Sequence, residues 1–204
     1  MNIKNIANSI LIFTINRLIE IFGIVISIIG LILFIALISY SPSDPNFIFP
    51  DNATIKNLLG FQGSYTSDLF FQSFGLISFL IPVSLIFTGI NIFKKKEIFL
   101  LIENTFFIII YSIVGSLFFN VFYDSSYDLY INGNGGFVGN YVGGEVLKNY
   151  LINYKNLSYY FLIILTLFFF LVSINFNLKN FIKTLKKITE IVFNKKTRNY
   201  TNKN

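Results

Sequence analysis

Residues 18–47 read LIEIFGIVISIIGLILFIALISYSPSDPNF. From 18 to 40 the only charge is Glu20, and at about 1.5 Å of rise per residue a helix over this run crosses a hydrocarbon core of about 30 Å. It stops at Ser39, Tyr40, Ser41, Pro42, Ser43, Asp44 and Pro45. Pro42 and Pro45 cannot continue a helix and push the residues before them to extended geometry, while Ser43 and Asp44 can bond nearby backbone donors to build a tight turn. A membrane helix with an abrupt end is the first expectation, and the stop carries no evident chemistry of its own.

The rest of the chain agrees. Of 204 residues 54% are hydrophobic and 13% charged, and the mean hydropathy is +0.65; in water such a chain would expose large apolar patches. It is read as an all-α integral membrane protein. There are 26 Phe and 12 Tyr but no Trp, so an interfacial aromatic belt has to be built from Tyr. The absence of Cys and His excludes disulfides, thiol chemistry, soft-metal sites and the usual neutral-pH proton carrier. The apolar run after Arg17 is longer than the core of a signal peptide and ends without a small-x-small site, so it is expected to stay as a signal anchor.

Four spans are expected, at about 18–40, 69–93, 98–122 and 158–174. They form a domain over 18–176, with a lead at 1–17 and a basic juxtamembrane helix and linker at 177–204. The lead has a helical apolar period at Ile3, Ile6, Ala7, Ile10 and Leu11, which suits an interfacial helix, although a polar lead fits as well. Gly23, Ser27 and Gly30 fall on one side of the first span and would let another helix approach closely. The loop before the second span is turn-rich, with room for one short helix around 52–59. Asp68 is expected to cap the second span, where a carboxylate favours the positive end of the helix dipole. Lys94, Lys95 and Lys96 make a break short enough to force antiparallel neighbours. The third span starts at Ile98 or at Thr105; the second start leaves Glu103 at the interface beside the lysines, with no special role, and is favoured.

The second long loop, 123–157, holds Asp124, Asp128, Glu145 and a glycine cluster. Val138, Tyr141, Val142, Glu145, Val146 and Tyr150 suit one short amphipathic helix lying on the membrane. After the fourth span, Leu178, Phe181, Ile182, Leu185 and Ile188 make one helical face, and Lys179, Lys183, Lys186 and Lys187 the opposite one.

Charge sets the expected topology. Placing both termini and the Lys94 to Lys96 break on one side collects 13 of the 16 basic residues. The positive-inside rule makes that side cytoplasmic and the two long loops periplasmic. The formal net charge of +6, concentrated there, favours contact of the tail lysines with anionic lipid over contact with DNA phosphates.

No motif for catalysis or cofactor binding survives its spacing. A dinucleotide fingerprint from Gly133 would need glycine where Val138 stands, and Gly-Lys-Ser/Thr occurs nowhere, so the glycines are assigned to turns and close approach. No two carboxylates share a predicted helix in the bilayer, and Glu20 is explained by an ion pair with Arg17. No cofactor is expected.

The order of several short strings is more informative. The stop from Ser39 to Pro45, then Asn57, Gly60, Gly63 and Asp68, then Gly75 and Pro82, and finally Gly135, Gly136 and Gly139 resemble the N-terminal four-helix membrane domain of the FtsK/SpoIIIE DNA translocases. The resemblance covers about 17–176. It implies a bundle anchored in the bacterial inner membrane at the division septum, tethering an ATPase motor in cis or in trans. It also implies contacts with other division proteins, touching DNA only indirectly, with homo-oligomerisation possible through the motor. The motor's phosphate loop is not in this sequence, so these residues are not expected to act as an enzyme. Tyr154, Lys155 and Asn156 replace the small residues that often start the family's fourth helix. A stand-alone scaffold or a small transporter or channel subunit is the alternative; the last would need polar groups lining a path through the bilayer.

Overall fold

The protein is described here from a computed structural model. The structure describes residues 3–45, 54–123 and 132–177, with 179, 182, 183, 186, 187, 189 and 190 beyond them. Outside the described residues lie 46–53, 124–131 and 191–204, and with them the acids Asp51, Asp124 and Asp128 and the linker; so do Leu178, Phe181, Leu185 and Ile188 of the basic helix's apolar face.

Every regular element among the described residues is helical: α1 (Ile3–Ile38), α2 (Gly60–Phe74), α3 (Leu80–Lys95), α4 (Leu100–Phe122), α5 (Gly136–Gly143), α6 (Glu145–Asn153) and α7 (Lys155–Ser173), with a 3-10 turn at Gly75–Phe79 joining α2 to α3. Four helical runs are long and apolar enough to cross a membrane: within α1, from α2 through α3, α4, and α7. The architecture is an all-α four-span membrane bundle.

Small residues decide how the spans meet. A methyl group added to Gly23 would lie 2.7 Å from the Gly89 carbonyl oxygen, and one on Gly30 would lie 2.9 Å from the Pro82 carbonyl oxygen. Between them the Ser27 hydroxyl donates to the Ile86 carbonyl at 3.2 Å. Hence α1 and α3 touch backbone to backbone along the Gly23, Ser27, Gly30 stripe, where lipid tails give no hydrophobic gain and close packing has to hold the helices. Pro82 is tolerated because it sits in the first turn of α3, where its missing N–H has no helical acceptor.

α1 runs without a break across Arg17 for 36 residues, about 54 Å of helix. Glu20 pairs with Arg17 one turn away and with Lys96, whose ammonium is 3.1 Å from its carboxylate. That contact fixes the level at which α3 ends, and α1 continues past it toward its own N-terminus. Lys96 takes a left-handed φ of 59°, its amide closes α3 on the Ile92 carbonyl at 2.8 Å, and the chain reverses into α4. Glu103 is in the first turn of α4 and exposed, while Asn104 beside it is buried.

Three local expectations change. Residues 54–59 are not helical. The second helical run starts at Gly60 rather than at 69, and α2 ends at Gly75, whose φ of 69° and ψ of −147° are not α-helical. The region around Tyr141 is two helices rather than one, because Gly144 at φ 27° and ψ 157° ends α5 and begins α6. The core has two parts. Leu33, Leu37, Phe71, Ile77, Ile81, Ile108 and Tyr111 fill the centre, and Leu117, Phe118, Val121 and Leu162 join α4 to α7. Ile24, Val25 and Ile28 of α1 and Phe161, Ile164 and Phe168 of α7 face outward, as lipid-facing residues do.

Candidate functional site

The quoted motif residues other than Pro82, which packs against Gly30 within the bundle, gather at the end of the bundle away from Lys94 to Lys96, called here the loop end; the other is the lysine end. The first joint is built on Asp44. Its carboxylate is 1% exposed and accepts the backbone amides of Lys56 at 3.0 Å and Asn57 at 2.8 Å. The two amides supply the hydrogen bonds that a buried polar side chain requires. Asn57 continues the joint: its amide group donates to the Ala36 carbonyl at 2.9 Å, and its own oxygen accepts the Leu59 amide at 3.0 Å. The Ser39 hydroxyl accepts the Leu58 amide at 3.2 Å, and the Ser64 hydroxyl donates to the Pro45 carbonyl at 2.8 Å. Gly63 is needed because a Cβ there would collide with the Asn57 side chain. The stop after α1 thus becomes the socket for the start of α2.

Asp68 does not cap a helix. α2 begins upstream at Gly60, because Asn57 and the turn it organises already supply the helix start. Asp68 is 3% exposed inside α2 and accepts the Tyr40 hydroxyl at 3.2 Å. Burial, and then the negative charge of Asp68, push the Tyr40 phenol above its usual range, so it stays a donor.

The second joint is made of glycines. A methyl group on Gly136 would lie 2.5 Å from the Gly75 nitrogen, and one on Gly75 would collide with the Asn134 carbonyl oxygen. The Leu76 amide donates to that same oxygen at 3.0 Å. Gly135, just before α5, and Gly139 and Gly143 within it form one stripe that lies against Ser116 and Asn120 of α4, and Asn120 is bonded to Asn140. Asn132 strengthens this joint, donating its backbone amide to the Gln72 side-chain oxygen at 3.2 Å and its side-chain amide to the Gln72 carbonyl at 3.2 Å. The Phe74, Gly75 and Gly135, Gly136 strings, distant in sequence, are one contact. Sequence reading passed over Ser116 and Asn120; with Ser112 they recur every fourth residue along α4, and that polar stripe on an apolar helix was the available signal.

At the lysine end a third polar group joins α3, α4 and the end of α7. The Ser84 hydroxyl lies 3.0 Å from that of Tyr111 and 2.8 Å from that of Ser173. Asn104 donates to Thr88 at 2.9 Å and accepts from Asn175 at 2.6 Å. These groups spend hydrogen bonds on one another, and through Tyr111 they adjoin the central core. Among the described residues no three His, Cys, Asp or Glu side chains come together as a metal site.

Tyr154, Lys155 and Asn156 all point outward, and the buried residue at the start of α7 is Ser158. The bulk of the three residues is therefore accommodated without displacing the helix. Lys179, Lys183, Lys186 and Lys187 are exposed.

The 4TM region of DNA translocase FtsK/SpoIIIE, as a family, matches residues 16–186. The chain belongs to this family. Among FtsK relatives, the DNA translocase FtsK of Rickettsia bellii (strain RML369-C) is 31% identical over 151 residues, 74% of this chain and 19% of the relative. That of Rickettsia prowazekii (strain Madrid E) is 37% identical over 84 residues, 40% of this chain and 11% of the relative. That of Shewanella oneidensis is 27% identical over 141 residues, 69% of this chain and 15% of the relative. The chain spans 19% or less of the length of these three FtsK proteins. No solved structure matches. In this FtsK/SpoIIIE membrane region the strings that carried the resemblance form the two joints at the loop end, and the region is distinct from the motor.

Proposed function

We propose that this chain is the membrane anchor of a DNA translocase acting in cell division. It holds the motor, in cis or in trans, at the septum of the bacterial inner membrane, with the lysine end in the cytoplasm and the loop end in the periplasm. The family match over residues 16–186 is the observation that carries the reading. The bundle adds support, since Asp44, Asn57, Asn104 and Asn120 are bonded from one helix or joint to another, as a rigid anchor requires. The loop end, braced by Asp44, Asn57 and the glycine joint, offers a fixed surface to other division proteins. The exposed tail lysines meet anionic lipid. DNA is handled only through the motor, and any oligomer forms with it.

A fluorescent fusion of the full chain in dividing cells tests the tether. A band at the septum is expected, and an even signal around the envelope would refute septal tethering. The chain has no Cys, so a single Lys56→Cys substitution, at an exposed position in the loop between α1 and α2, reports topology: labelling by a membrane-impermeant maleimide from outside is expected, and labelling only after the cytoplasm is opened would reverse the orientation.

A further inference from the structure

The end of α7 is fastened more firmly than the rest of α7. Only 22% of the apolar window of α7 is buried, against 50% for α4, so packing gives it a weak seat. The helix closes with the Asn175 amide on the Val172 carbonyl at 2.9 Å and the Phe176 amide on the Leu171 carbonyl at 3.0 Å, the two bonds of a Schellman turn. That turn needs a left-handed residue, most easily glycine. Asn175 occupies it with φ 53°.

The side chain explains the choice. Asn175 Oδ1 accepts the Lys95 ammonium at 3.1 Å and Asn175 Nδ2 donates to Asn104 Oδ1 at 2.6 Å. Asn104, 1% exposed, is itself held by Thr88. Asn91 donates to the Ile174 carbonyl at 3.0 Å, and the Ser173 hydroxyl lies 2.8 Å from that of Ser84. The place where the chain leaves the fourth span is thus bonded to both α3 and α4. The Asn104–Thr88 and Ser173–Ser84 bonds are buried and lack a solvent competitor while the helix stays seated.

We propose that this exit turn is a mechanical clamp, passing tension on the C-terminal segment into α3 and α4. Load on an unclamped helix end peels it from its neighbours one turn at a time. Here the loaded end is where the cross-helix bonds concentrate, so several have to break together before α7 moves. The inference rests on the tether reading, since only a chain under load has use for a clamp.

Magnetic tweezers on the full chain in bicelles give the test, with one handle on a Glu97→Cys substitution and the other at the C-terminal end. Asn175→Gly keeps the left-handed turn and removes only the side-chain bonds. Each interhelical bond lost is expected to speed the first one-span extension at fixed force by about threefold to about fifteenfold. Asn91→Ala supplies a second clamp variant should the first fold poorly. Tyr159→Phe removes the α4–α7 hydroxyl contact with Tyr123 at the loop end and should leave the step unchanged. A wild-type rate for both clamp variants, or equal acceleration by Tyr159→Phe, overturns the clamp. No motor takes part in the measurement, so failure of septal localisation leaves its result standing, and a wild-type rate leaves the tether intact.

Discussion

Asp44 accepts the backbone amide of Asn57 at 2.8 Å, across 13 residues of chain. This bond turns a helix stop into a structural socket, because the carboxylate that ends one span organises the start of the next. Asp44→Ala leaves the buried Asn57 amide and the partly buried Lys56 amide without their acceptor, a loss of about 1.5–3 kcal/mol. Asp44→Asn keeps one oxygen and should lose less. Equilibrium unfolding in mixed micelles checks the order, and a wild-type midpoint for Asp44→Ala would mean that the joint contributes nothing.

Gly60 and Gly136 share a left-handed backbone, φ 66° and 64°, but a methyl group on Gly60 meets nothing within 4 Å whereas one on Gly136 meets the backbone of residues 73–75. Gly60→Ala should therefore cost only the conformational strain, about 1–2 kcal/mol. Gly136→Ala should cost more, because the contact with Gly75 has to open as well. Thermal denaturation of the two variants separates strain from contact; equal losses would refute the glycine joint.

Tyr40 provides a pH signature. Burial and Asp68 hold its phenol above the usual value of 10.0, so the folded protein keeps a proton that the unfolded chain releases from about pH 10 upward. The stability it contributes is complete below that pH and declines as pH rises beyond it. Unfolding midpoints between about pH 9 and about pH 11.5 should fall, and Tyr40→Phe should fall less over the same range. Parallel curves for the two proteins would contradict this.

The lysines of the tail make a lipid prediction. Replacing Lys179, Lys183, Lys186 and Lys187 together with Gln removes attraction of about 1 kcal/mol for each lysine near an anionic surface. The full chain carrying these changes should retain fewer anionic lipids when extracted from mixed bilayers and weighed by native mass spectrometry. Unchanged lipid retention would show that these lysines do not serve the membrane.

The four crossings were legible because hydrophobic transfer and helix stops act on each segment separately. The apolar run before Ser39, the prolines after it and the Lys94 to Lys96 break mark their helices without reference to any partner. The small stripe of Gly23, Ser27 and Gly30 was readable too, although its partner, Gly89, was not. Asp68 misled because a carboxylate ahead of an apolar run looks like a cap, and the earlier helix start made by Asn57 depends on Asp44. The single helix expected around Tyr141 fails for a related reason: Gly144 takes a conformation that composition does not specify.

The sequence alone settled that this is a four-span membrane chain, where the first span stops, and which end carries the lysines, since those follow from the solvation of each segment. Only the tertiary structure decided that Asp44 reaches Asn57, that Gly75 meets Gly136, and that Asn175 binds Asn104 across 71 residues. These pairings depend on how the helices cross and how closely their backbones approach, and a bilayer gives apolar faces no preference among partners that a periodicity could reveal.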